Sequence, residues 1–164
     1  MPEMTTEDQY AVAARRHFED ARYLGKRERW PNADHHFGFA AECALKTLLL
    51  LFTEASMDPK PNGKTAQKPW IRKTTGGAQE FGHLPWSPTE LAVLATGPLG
   101  QHVLTVVGGL LPAFANWTEQ DRYRSCDHIT RDSVTALHDA AHKILALLEA
   151  ALLTGKLEAP HDHR

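Results

Sequence analysis

Between Gln9 and about Arg27 the apolar residues Ala11, Ala14, Phe18, Ala21 and Leu24 recur at spacings of three and four. That period places them on one face of an α-helix, and Arg15, Arg16, Arg22 and Lys26 occupy the opposite face. Thr5 and Thr6, followed by Glu7 and Asp8, supply the hydroxyls and acids that suit a helix start. Trp30-Pro31-Asn32 breaks the pattern, and Asn32 or Asp34 is placed to cap a second helix reaching roughly Ser56. This second segment is apolar over most of its circumference, as expected of the central element of a bundle. Its Ala40, Ala41 and Ala44 allow a neighbouring helix to approach closely.

From Met57 to Gly82 the periodicity disappears. Pro59, Pro61, Gly63, Pro69, Gly76, Gly77 and Gly82 punctuate the stretch, which predicts a long loop. Pro88-Thr89-Glu90 opens a short third helix through Ala95, stopped by Gly97-Pro98. A fourth helix is expected from about Leu99 to Ala115, weakened near Gly108-Gly109 and Pro112. Thr130-Arg131-Asp132 then caps a last helix to about Thr154, with Val134, Leu137, Ala141, Ile144, Leu145, Leu148 and Leu152 as its core stripe. Gly155 is expected to end it, leaving residues 155–164 as a tail. There is no internal repeat and no convincing strand run. The expectation is one all-α domain over residues 1–164. It is an up-and-down bundle of four to five helices with an ordered core over about 6–154 and a long basic loop at 57–82.

Composition narrows the function classes. Hydrophobic residues make up 42% and charged residues 23% of 164 positions, ordinary for a globular chain. The formal net charge of -2 excludes a global basic field of the kind a dedicated duplex-DNA binder shows. The longest apolar run, Leu48 to Phe52, is far short of a membrane span, so no membrane partner is expected. The start lacks a basic stretch followed by an apolar core, so no signal peptide is expected. Cys43 and Cys126 form no paired motif, which fits a reducing, cytoplasmic setting.

Four groups of residues carry candidate chemistry. The loop holds Lys60, Lys64, Lys68, Arg72 and Lys73 with no acid between Asp58 and Glu80. Together with Trp70 and Trp86, these could meet a nucleic-acid backbone, cations on phosphate and indoles on unpaired bases; a solvated loop is the plainer alternative. His138 and His142 stand four apart on the last helix, a metal-binding spacing for which His35, His36 and Glu42 are candidate partners. Equally, both line the edge of the core stripe, and no cofactor is expected. Asn62-Gly63-Lys64-Thr65 lacks the upstream glycine and preceding strand of a phosphate loop. Glu42 on the otherwise apolar second helix needs a partner, which Lys46, in the favourable order at i,i+4, or an arginine of a neighbouring helix would supply. A structural ion pair at the bundle edge is therefore expected.

The segment Ala40-Ala41-Glu42-Cys43-Ala44-Leu45-Lys46, the His83-Leu84 step after the loop, and Arg122-Tyr123 before the last helix occur in an order that resembles the HEPN superfamily. These are small helical-bundle proteins of prokaryotic toxin and defence systems, and the resemblance spans roughly Thr6 to Thr154. Catalytic members resemble one another in an arginine, four to six residues, then a histidine at a dimer seam. Arg122 and His128 fit that spacing. The resemblance thus implies a homodimeric, metal-independent ribonuclease. In it His128 would move a proton at the ribose 2′-OH and Arg122 would stabilise the phosphorane. Arg124 would add a phosphate contact, and Tyr123 would stack or hydrogen-bond. Tyr123, where nuclease members carry a small polar residue, resembles instead the non-cleaving members that bind nucleotide, RNA or a partner protein. Such members often accompany a nucleotidyltransferase in toxin–antitoxin-like pairs. A purely structural alternative has Arg122 paired with an acid such as Glu42, Tyr123 packed on the bundle, and His128 near the start of the last helix.

Overall fold

The computed structural model describes residues 2–96 and 100–158, with side chains through Thr154. Its α-helices are α1 (Thr6–Gly25), α2 (Trp30–Phe52), α3 (Pro88–Ala92), α4 (Gly100–Leu110) and α5 (Arg131–Glu158). Three 3-10 turns, Val93–Thr96, Leu111–Phe114 and Glu119–Tyr123, link the later helices. The architecture is the expected all-α bundle, with α2 in the middle and packed mainly on α1 and α5. No described helix is long and apolar enough to cross a membrane.

Helix α1 forms as its pattern predicts. The Thr5 hydroxyl accepts from the Asp8 N–H at 3.3 Å, and Ala11, Ala14, Phe18 and Ala21 are buried. The helix ends earlier than expected: Glu28, at φ 59, reverses the chain, and the Arg29 N–H reaches back to the Leu24 carbonyl at 3.0 Å. Trp30 and Pro31 therefore start α2 rather than break α1, because proline in a first helical turn loses no hydrogen bond. Neither Asn32 nor Asp34 caps the helix. Asp34 lies inside its first turns and is buried. Leu45, Leu48 and Leu49 fill the core against Ile144 and Leu148 of α5. Thr53 closes α2, its hydroxyl donating to the Leu49 carbonyl at 2.6 Å.

The 57–82 segment is not a plain loop. It contains an antiparallel hairpin, β1 (Trp70–Arg72) with β2 (Ala78–Glu80), in the register Trp70↔Glu80, Ile71↔Gln79, Arg72↔Ala78. Gly76 and Gly77, at φ 91 and 81, make its turn, and Ser56 exchanges two backbone hydrogen bonds with Trp70. Each strand is three residues long, too short for an alternating pattern to register in the sequence. Trp70 and Trp86 are buried, with their indole N–H groups donating to the carbonyls of Asp58 and Gly82. They anchor the segment and are not free to stack on bases.

Ser87 and Glu90 form a reciprocal capping box on α3. The Gly97-Pro98 stop lies outside the described residues, and α4 followed by its 3-10 turn covers most of the expected fourth helix. Thr130 and Ser133 exchange hydrogen bonds at the start of α5. Helix α5 passes through Gly155 to Glu158, so glycine there is tolerated and does not end the helix.

Candidate functional site

The Asp121-to-His128 segment is built as a set of tight turns. Thr118 caps the 3-10 turn by accepting from the Gln120 N–H at 3.2 Å, and the Asp121 carbonyl takes the Arg124 N–H at 3.1 Å. Cys126 occupies a left-handed φ of 59 while its thiol donates to the Asp121 carbonyl at 3.0 Å. These bonds turn the Asp121 side chain inward, where it is 5% exposed. Asp121 becomes a wall between two clefts.

The first cleft, of about 250 Å³, is lined by Asn32, His35, His36, Asp121, Arg122 and Arg124. The Arg122 guanidinium lies 4.7 Å from the ring centre of Tyr123, which is 71% exposed. Arg122 is not tied to Glu42, whose oxygens are taken elsewhere, and Tyr123 does not pack on the bundle. Arg124 approaches Asp121 only loosely, at 3.6 Å. His36 and His17 place their Nδ1 atoms 2.9 Å apart, so one ring must donate and the other accept. Burial pushes the pKa of His36 below the ordinary range. Burial together with the neighbouring His36 does the same to His17. His35 is lowered by burial, by His36 and by Arg122, and its buried Nδ1 has no hydrogen-bond partner. The cleft thus combines guanidiniums, which suit phosphate oxygens, with imidazoles held neutral and able to accept a proton.

The second cleft, of about 240 Å³, lies on the other side of Asp121 and is lined by Asp34, Trp117, Asp121, His128, Ser133 and Leu137. His128 is exposed, with Nε2 3.9 Å from Asp121 Oδ2. Arg122 and His128 therefore open into different clefts of one chain. Trp117 sits over Gly38 of α2 so closely that a Cβ there would lie 1.9 Å from its ring. Asp34 is 5% exposed, and burial reinforced by Asp121 raises its carboxyl to about 6, against a lowering by His128. Asp34 and Trp117 are not marked as site residues by the sequence, and His36, a candidate metal partner there, lines the Arg122 cleft instead. The glycine inside an otherwise strong helix was the one signal that something packs there.

Glu42 and Lys46 form a buried pair that the exposed His83 reaches from its edge, a knot of three side chains. Lys46 Nζ donates to Glu42 Oε1 at 2.7 Å, and the Leu84 N–H donates to Oε2 at 3.1 Å. His83 Nδ1 lies 3.1 Å from both oxygens. Nearby, burial raises the Tyr10 phenol, with smaller contributions from Cys43 and Glu42.

The loop cations do not join either cleft. Lys60 pairs with Glu80 at 2.9 Å, and Lys68 lies 3.9 Å from the same carboxylate. Arg72 and Lys73 line a separate groove between the hairpin and α3 that also contains Glu90, and Lys64 is exposed. His138 and His142 stack nearly parallel, 6.1 Å between ring centres, beside Phe18. They lie at the core edge, and no group of three His, Cys, Asp or Glu among the described residues is arranged to hold a metal. Glu42 is bound in its own knot. No protein-family model, curated protein or solved structure matches this chain.

Proposed function

We propose that the chain is a non-catalytic, HEPN-like bundle that binds a nucleotide or RNA phosphate at the cleft of His35, His36, Arg122 and Arg124. The observation that carries this reading is the exposed Arg122–Tyr123 stack on the rim, whose guanidinium is not engaged by an acid among the described residues. Arg122 and Arg124 supply cations, and Tyr123 supplies a flat face for a base. The Glu42–Lys46 pair with His83-Leu84 supports the HEPN likeness, since two of the three sequence pieces that suggested it meet in space. Titration of the purified protein with ATP and with a labelled short RNA tests the site. Arg122→Ala with Arg124→Ala should weaken binding by about tenfold or more, as expected for lost charge-assisted contacts. Tyr123→Ala should weaken RNA more than free phosphate. Unchanged affinity in the double variant would refute the reading.

A homodimer, or a nucleotidyltransferase partner in a toxin–antitoxin-like pair, belongs to the same proposal. Exposed Met4, Val12 and Leu51 line one groove, an apolar surface of the kind that partners cover. A concentration-independent monomer in sedimentation would remove the dimer.

The second reading is a metal-independent ribonuclease, favoured by one observation: neutral imidazoles share a cleft with Arg122. It expects RNA cleavage in EDTA. Within one chain the proton-transfer group would be His36, whereas a site shared by two copies would use His128. His36→Ala and His128→Ala separate these, and an inert wild type across varied RNAs ends the reading.

A further inference from the structure

The second cleft has a chemistry opposite to the first. Asp34 and Asp121 both line it, each is 5% exposed, and neither carboxylate makes a hydrogen bond among the described residues. The basic side chains within reach, Arg124 at 3.6 Å and His128 at 3.9 Å, both approach Asp121 and keep most of their own surface in water. Asp34 has no ion pair among the described residues. A buried carboxylate without a partner is unfavourable enough that such groups concentrate where a ligand completes them. The remaining walls are Trp117, Ala113, Ile129, Ala136 and Leu137, with Asn116 and Ser133 as the neutral polar groups.

We propose that this cleft binds a small organic cation, an ammonium or guanidinium head on a short apolar stem, with Asp34 and Asp121 on the charge and Trp117 beside the stem. An anion is disfavoured by two carboxylates. A bare divalent ion is disfavoured because Asp34, Asp121 and His128, although they line one cleft, are not arranged as a group of three that could hold a metal. The volume of about 240 Å³ equals roughly eight water molecules, room for a chain of a few carbons and its head group. The like-charge contact that raises Asp34 would be relieved by a cation between the two acids. The titratable groups acting on or beside Asp34 are Asp121 of the 3-10 turn and Cys126 and His128 of the loop that follows, while α5 contributes only Ser133, Ala136 and Leu137. The site lies on the other side of Asp121 from the Arg122 cleft and shares only that residue with it.

Calorimetric titration of the full chain with n-butylammonium, n-butylguanidinium and neutral 1-butanol tests it. An N-acetyl-lysine amide serves as the arm for a cation borne on a peptide. The cationic probes should bind saturably above the Asp34 titration near 6 and weaken below it, and the alcohol should not bind. Asp34→Asn should weaken the cations by about tenfold or more, while Arg122→Ala should leave them unchanged. Tighter binding of the lysine amide than of butylammonium would assign a protein-borne source, and the reverse a free amine. Should Asp34→Asn fail to fold, a rise in wild-type melting temperature with butylammonium but not butanol is the deciding measurement. Equal effects of amine and alcohol, no saturable binding at millimolar probe, or stabilisation by magnesium alone would each overturn the proposal.

Discussion

Lys46 donates to the Glu42 carboxylate at 2.7 Å on adjacent turns of α2, with the two side chains only 7% and 3% exposed. The Leu84 N–H and the His83 ring complete the carboxylate from across the bundle, so the knot ties the central helix to the segment leading into α3. Removing one partner leaves the other charge buried. Glu42→Gln should therefore cost about 3–5 kcal/mol in urea unfolding, and the Glu42→Leu, Lys46→Met pair markedly less than the sum of its single changes. A loss below about 1 kcal/mol for Glu42→Gln would mean that water reaches the pair.

Gly38 exists to admit Trp117. An added methyl would lie 1.9 Å from the ring, and the indole has no room to move because it is itself buried. Gly38→Ala should destabilise by about 1–3 kcal/mol despite alanine's better helix propensity, and should shift Trp117 fluorescence. A neutral or stabilising result would contradict this packing.

Asp34 makes stability depend on pH in a defined direction. Its carboxyl is raised from 3.8 to about 6, so the folded protein holds that proton more tightly than the unfolded chain does. The contribution is fully present below 3.8 and is lost as pH rises through about 6. Asp34→Asn should remove this dependence and stabilise the protein above that range by up to about 3 kcal/mol. Chemical denaturation of both forms across the window measures it, and parallel curves would show that the acid is not strained.

Both cysteines should be inert in the folded state. Burial raises the Cys43 thiol to about 11 and also lifts Cys126, whose thiol donates to the Asp121 carbonyl. Native protein should react with a thiol reagent only slowly, and two thiols should appear on unfolding. Fast native labelling of Cys126 would show that the Asp121 turn opens.

The helices of this protein are legible because each is a local pattern: α1 and α5 carry an apolar stripe with a capped start, and α2 is apolar all round as a central helix must be. Ends were read less well. Glu28 rather than Pro31 turns the chain, and α5 continues through Gly155, since a helical glycine costs only about 1 kcal/mol. The hairpin was invisible because strands of three residues carry no usable period.

For the site, local spacing determined the pieces and tertiary structure decided their partners. The sequence alone placed Glu42 and Lys46 on one face and Arg122 beside Tyr123, because these separations are fixed by the backbone. It could not place Arg122 with His36 and Asp34 with Asp121, which lie about ninety residues apart in sequence and meet only when the Asp121 turn folds against the start of α2. Nor could spacing say that Arg122 and His128 face different clefts. Asp121, turned inward by its own backbone hydrogen bonds, stands between them.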